Sequence, residues 1–163
     1  MNLPAPFSIQ KAECGDSAAI ARLIRELAEF EKLADQCHAS EENVRNALFS
    51  DKPAASALVL KNDADVIGYA IYFFNYSTFT GKQGLYLEDL YIQEAFRGRG
   101  FGRAMLSALA KEAIENDCAR MDWTVLAWNE PAKKFYEGLG AAILEDWRLV
   151  RLEEDGIAAL AQK

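Results

Sequence analysis

A mixed α/β sheet with helices on both faces is the fold class that this 163-residue sequence predicts. Three observations predict it. Apolar runs of strand character alternate with repeats at helical spacing. The second half reads strand–helix–strand–helix–strand. No linker, internal repeat or low-complexity stretch interrupts the series, so residues 1–163 are expected to form one domain.

Phe7–Glu13 reads as a first strand. Asp16 or Ser17 can cap the helix behind it, where Ile20, Leu23, Ile24 and Leu27 recur at helical spacing. Ser40, followed by Glu41, Glu42 and Asn43, opens a second short helix running to about Phe49. Ser56–Lys61 and Val66–Asn75 are strands joined by the hairpin signal Asn62–Asp65. Gly84–Ile92 is the next strand and Gly100–Asn116 a long helix, with Leu106, Leu109, Ala110 and Ala113 on its buried face. A strand at Arg120–Ala127, a short helix at Asn129–Gly138, and strands at Ala142–Leu144 and Trp147–Leu152 bring the strand count to about seven. From Glu153 a last short helix or frayed end is expected.

Composition excludes several classes of function. Hydrophobic residues make up 51% of the chain, too many for a disordered protein. No apolar run approaches the ~18 residues of a membrane span, and no basic, then apolar, secretory leader opens the sequence. The net charge of −7 and pI near 4.8 argue against nucleic acid and suit a cationic partner, although solubility alone also accounts for acidic charge. Cys14, Cys37 and Cys118 are odd in number and scattered, which fits reduced thiols in a cytoplasmic protein. With a single histidine, His38, no metal site is expected, and a Ser/His or Cys/His triad has little support.

The stretch Leu85–Arg103, LYLEDLYIQEAFRGRGFGR, carries the most information. An apolar strand enters an Arg/Gly-rich turn, and a helix follows at once. Free N–H groups and the helix dipole favour an anion there, with Arg97, Arg99 and Arg103 adding fixed positive charge. A P-loop would need Gly-Lys-Ser/Thr, which is missing. A dinucleotide fingerprint would need a third glycine where Arg103 stands, and an acid at the end of the next strand, whereas Asp122 falls near its start. What remains is Arg/Gln-x-x-Gly-x-Gly/Ala, met by Arg97, Gly100 and Gly102.

That pattern, with Ile24–Leu33 (IRELAEFEKL), Tyr86–Ile92 (YLEDLYI), Ala127–Ala141 (AWNEPAKKFYEGLGA) and Gly140–Arg148, resembles the GNAT N-acetyltransferases. Within them it is similar to the diamine (spermidine/spermine) and thialysine acetyltransferases. The resemblance implies a mostly antiparallel sheet, acetyl-CoA as co-substrate, and direct transfer to a small cationic amine in a ternary complex. It also implies a homodimer. Protein lysine or N-terminal acetylation, or a silent acyl-CoA-binding module, are the alternatives.

Residue by residue, the resemblance implies that main-chain groups of Leu90, Tyr91 and Ile92 meet the pantetheine arm and thioester. Arg97, Gly98, Arg99, Gly100, Phe101, Gly102 and Arg103 would hold the pyrophosphate. Asn129, Glu130, Pro131 and Ala132, with Leu139, would form the other wall, though Asn129 also reads as a plain helix cap with Pro131 in the first turn. Tyr136 matches the family's thiolate-protonating tyrosine, and a phenol of pKa ~10 suits that task; spacing alone makes it a core aromatic beside Phe135. Glu88 matches the carboxylate that draws the amine's proton off through water. Alternation sends Asp89 to the opposite face, where a local hydrogen bond is its expected use. Phe30 and Glu31, then Asp122, Trp123 and Thr124, and Asp146 (or Glu145) match the amine-lining positions. Other acids of the first helix, Glu26 and Glu29, read as a solvated face.

Two departures bear on the acceptor. Ser77, in NYSTF, stands where the polyamine enzymes carry an acid, and the insertion between the second and third strands is shortened to Asn62–Asp65. Loss of that anchor brings a shorter diamine or a lysine analogue such as thialysine level with spermidine and spermine.

Overall fold

The computed structural model describes residues 3–162. In chain order the elements are β1 (Phe7–Lys11), α1 (Ser17–Phe30), α2 (Glu41–Phe49), β2 (Ser56–Asn62), β3 (Asp65–Ser77), β4 (Lys82–Ile92), α3 (Phe101–Glu115), β5 (Arg120–Asp122), α4 (Glu130–Glu137) and α5 (Glu154–Ala161). The chain divides into two compact units, one running through Thr124 and the other starting at Val125.

The larger unit contains one sheet in the order β1-β2-β3-β4-β5, antiparallel except for the parallel pair β4–β5. The run Ala57–Leu60 is buried without a break, as a strand covered on both faces must be. Ala57 and Val59 join a cluster with Ile20, Leu23, Val44 and Leu48 of α1 and α2. Leu58 and Leu60 alternate with them toward the other face, where Phe101, Ala104, Met105 and Leu109 of α3 are buried and Phe7 stacks on Phe101 at 4.7 Å. The expected helices on both faces are therefore present.

Local signals explain the helix starts, with one correction. Ser40 caps α2 as expected: its hydroxyl accepts from the Asn43 amide at 3.1 Å while Asn43 Oδ1 accepts from the Ser40 amide at 3.2 Å. Asp16 is not a side-chain cap of α1. Its carboxylate accepts from the Glu13 amide at 2.9 Å and pairs with Lys61 of β2 at 2.8 Å, so it fastens the turn before α1 to the sheet.

Among the described residues there are five strands, where the sequence predicts about seven. β5 stops at Asp122 rather than Ala127, and neither Ala142–Leu144 nor Trp147–Leu152 is a strand. The physical reason is pairing. Alternating apolar side chains make a segment compatible with a strand, but a strand exists only where a ladder satisfies its backbone. The smaller unit offers no such ladder among the described residues, and Trp147, Leu149 and Val150 are exposed there. No helix is long and apolar enough to cross a membrane among the described residues.

Candidate active site

Strand β4 positions the site through two irregularities. Against β3, Ile71 faces Asp89 and the next residue, Tyr72, faces Leu87, so Glu88 has no cross-strand partner. It is the extra residue of a β-bulge, which re-aims side chains beside it. On its other side β4 pairs with β5 only over Gly84–Tyr86. From Leu87 to Ile92 the main-chain groups directed away from β3 have no ladder partner among the described residues. A bulged carboxylate thus stands just ahead of an open strand edge at Leu90–Ile92. The Tyr91 and Ile92 side chains are buried, leaving the backbone to do any binding.

After Gln93 the chain makes a 3-10 turn at Glu94–Phe96 and enters the Arg/Gly turn. Gly98 and Gly100 have φ of 74° and 83°, the left-handed region that suits glycine. A Cβ on either would meet nothing within 4 Å, so the glycines answer to backbone angle, and the space above them is open. Helix α3 begins at Phe101 with no side-chain cap, and its first N–H groups have no intrahelical acceptor. Such a turn suits an anion. The three arginines differ in use. Arg97 donates Nε–H to the Ile92 carbonyl at 2.9 Å, and Arg99 donates to the Ala95 carbonyl at 3.2 Å. Arg103 is exposed and makes no ion pair or hydrogen bond among the described residues.

Carboxylates converge beside the bulge. Burial first, then the charges of Glu88 and Glu31, push the Asp89 carboxyl up to about 6, against the opposing hydrogen bond from Tyr69. Burial also raises the Glu31 carboxyl. Among the described residues no lysine, arginine or histidine pairs with Glu31, Glu88 or Asp89. Sequence reasoning finds Glu31 and Glu88 here but reserves Asp89 for a local hydrogen bond. That bond exists, to Tyr69 on β3, yet Asp89 also belongs to the acidic group. The bulge that puts it there has no signal in a single sequence.

The other acceptor-side candidates are in varied settings. Phe30 ends α1 beneath the Arg97 guanidinium, 4.6 Å from its ring centroid. Glu26 accepts from Tyr91 and Gln93 and pairs with Arg22, so it is no free solvated acid. Asp122 pairs with Arg120 at 2.7 Å, followed by half-buried Trp123 and exposed Thr124. Ser77 is buried at the β3–β4 hairpin, where its hydroxyl accepts from the Thr80 amide at 3.4 Å.

In the smaller unit Asn129 caps α4, its Oδ1 accepting from the Ala132 amide at 3.3 Å, with Pro131 in the first turn. Glu130 pairs with Lys133 at 2.6 Å. Tyr136 is half-buried on the same helix, its ring 5.4 Å from that of Phe135, and half-buried Leu139 follows the helix. Glu145 and Asp146 are exposed.

An antiparallel sheet with an open edge on its fourth strand thus feeds a glycine turn at a helix N-terminus, an arrangement that suits an anionic ligand. Residues 21–141 match the family model described as Acetyltransferase (GNAT) family. The chain belongs to the GNAT acetyltransferases and is an N-acetyltransferase for which the family implies acetyl-CoA as co-substrate. It is 39% identical to the thialysine N-epsilon-acetyltransferase of Bos taurus, covering 95% of this chain and 97% of that protein. It is 30% identical to an L-ornithine N5-acetyltransferase of Arabidopsis thaliana, over 93% of this chain and 86% of the relative. An integron cassette protein from the mobile metagenome of V. cholerae has a similar structure, with a TM-score of 0.82 at 26% identity over 98% of this chain and 100% of the other.

Proposed function

We propose that the chain acetylates a primary amine of a small cationic acceptor, by direct attack in a ternary complex with acetyl-CoA. The observation that carries this is the group Glu31, Glu88 and Asp89, without a cationic partner, at the point where the β4 edge opens. Negative charge there draws an ammonium toward the strand that would orient the acyl donor. Relatives named for thialysine and L-ornithine support a compact diamino acid as acceptor, and Ser77 in place of an acid supports it over long polyamines.

Bound acetyl-CoA supplies an acyl group activated as a thioester. The turn from Arg97 to Arg103 holds its pyrophosphate, the main chain of Leu90–Ile92 orients the pantetheine arm, and residues 129–132 with Leu139 also bind the coenzyme. Glu88 receives the acceptor's ammonium proton through water, so that a free amine attacks. As the C–N bond forms and the C–S bond breaks, Tyr136 gives its phenolic proton to the departing sulfur, and the proton released by the acylated nitrogen passes through water to restore the phenol. Phe30, Glu31, Asp122, Trp123, Thr124 and Asp146 line the acceptor. The exposed Trp147, Leu149 and Val150 support a homodimer.

The test is release of free coenzyme A with a panel of thialysine, ornithine, lysine, putrescine, spermidine, a neutral amine and a lysine-bearing peptide. Turnover concentrated on the small dications, with the diamino acids ahead of spermidine, is the expected result. Turnover on the peptide alone would overturn the small-amine reading.

A further inference from the structure

We propose that Arg97 is a positioning residue for the acceptor site: its guanidinium fixes Phe30, so that the coenzyme turn and the acceptor wall share one side chain. The proposal rests on the reading above that Phe30 lines the acceptor.

The Arg97 guanidinium carbon is 4.6 Å from the Phe30 ring centroid and 5.2 Å from that of Tyr91. Both distances are within the range of cation–π attraction. Its Nε–H is spent on the Ile92 carbonyl at 2.9 Å. One side chain therefore joins the last residue of α1, a ring of β4 and the end of the open strand edge. Its guanidinium also hydrogen-bonds with the Tyr91 side chain.

Phe30 is the final residue of α1 and 42% exposed, a position where an aromatic side chain has several rotamers. One turn earlier, on the same helix face, Glu26 accepts from the Tyr91 hydroxyl at 3.4 Å and from Gln93 Nε2 at 3.2 Å. The end of α1 is thus held twice by residues 91–97, the segment that leads from the open edge into the glycine turn. Lysine at 97 would keep the charge but could neither stack as a plane nor donate from Nε. Arg99, by contrast, stacks on Phe96 and bonds to Ala95 within its own turn, so it makes no such bridge.

Kinetics of Arg97→Lys, Phe30→Leu and the double variant test this, with circular dichroism to check folding. Loss of a cation–π contact predicts that Arg97→Lys raises the acceptor KM about two- to thirty-fold, measured at saturating acetyl-CoA so that any weakening of coenzyme binding at the turn is read separately. Phe30→Leu should match it, and the double variant should be no worse than the worse single one. Independent, multiplying effects, or an Arg97→Lys effect confined to acetyl-CoA, would overturn the proposal. If no small amine is acetylated at all, the acceptor reading fails, and amide hydrogen exchange decides the positioning role on its own. Faster exchange of the last-turn amides of α1 in folded Arg97→Lys supports it, and unchanged exchange overturns it.

Discussion

The Tyr69 hydroxyl on β3 donates to the Asp89 carboxylate on β4 at 3.4 Å, across neighbouring strands. Tyr69 is fully buried, so its hydroxyl depends on this partner. The bond is long for O–H···O and offsets little of what it costs Asp89 to be charged while buried, and beside Glu88 and Glu31. Asp89 has its carboxyl raised from 3.8 to about 6. Folding therefore favours the protonated form, and the stability this gives, present below pH 3.8, is lost as pH rises through about 6. A shift of this size corresponds to at most about 3 kcal/mol. Asp89→Asn keeps an acceptor for Tyr69 and removes the charge. Urea unfolding should show it to be about 1–3 kcal/mol more stable than wild type at pH 7.5 and flatter between pH 4 and 6.5. Parallel pH profiles for the two proteins would show that Asp89 is not charged at a cost.

The turn makes a separate prediction. Gly100 has φ 83° in open space, so a side chain there meets strain and not a clash. Gly100→Val should cost about 1–3 kcal/mol of stability and leave the protein folded. It also places a branched Cβ where an anion would approach the first amides of α3. Calorimetry should find acetyl-CoA binding severely weakened. Unchanged affinity in a folded Gly100→Val protein would remove the turn from the coenzyme site.

How far these features are legible in the sequence depends on whether their causes are local. Ser40 and Asn129 cap helices because the acceptor and the amide it serves are three residues apart. The ALVL run of β2 announces burial on both faces. Non-local features are silent. The bulge at Glu88 exists only relative to Tyr72 and Ile71, on another strand. Asp16 reads as a cap until Lys61, far along the chain, claims its carboxylate. Arg97 reads as a phosphate ligand, and nothing near it in sequence shows that Phe30 stacks on it. The segments near residues 142–152 fail in the opposite sense, since their alternation is genuine but no ladder receives it.

For Tyr136 the decisive comparison is between turnover and binding. If its phenol protonates the leaving thiolate, Tyr136→Phe should lower kcat roughly ten- to ten-thousand-fold and leave coenzyme affinity nearly unchanged. The ring and its contact with Phe135 survive this substitution, so packing alone predicts little effect. Full turnover in Tyr136→Phe would mean that water or another group protonates the thiolate.

Glu88 and the net charge of −7 give the last prediction. A primary ammonium with a pKa of ~10 is almost wholly protonated at pH 7, so the attacking amine must lose a proton on the enzyme or arrive already free. With Glu88 present, proton transfer through water can occur after binding. In Glu88→Gln that acceptor is gone and the rate follows the free-amine fraction in bulk solvent. Turnover should fall roughly a hundred-fold or more near pH 7, and its rising limb should move toward higher pH. The same carboxylates should attract dications at long range. Exposed charges are screened over ~10 Å at 0.1 M salt, so the acceptor KM should rise between low and physiological ionic strength while that for a neutral amine stays flat and poor. A pH profile of Glu88→Gln superimposable on wild type, with a salt-insensitive acceptor KM, would mean that neither proton removal nor cation capture depends on this carboxylate.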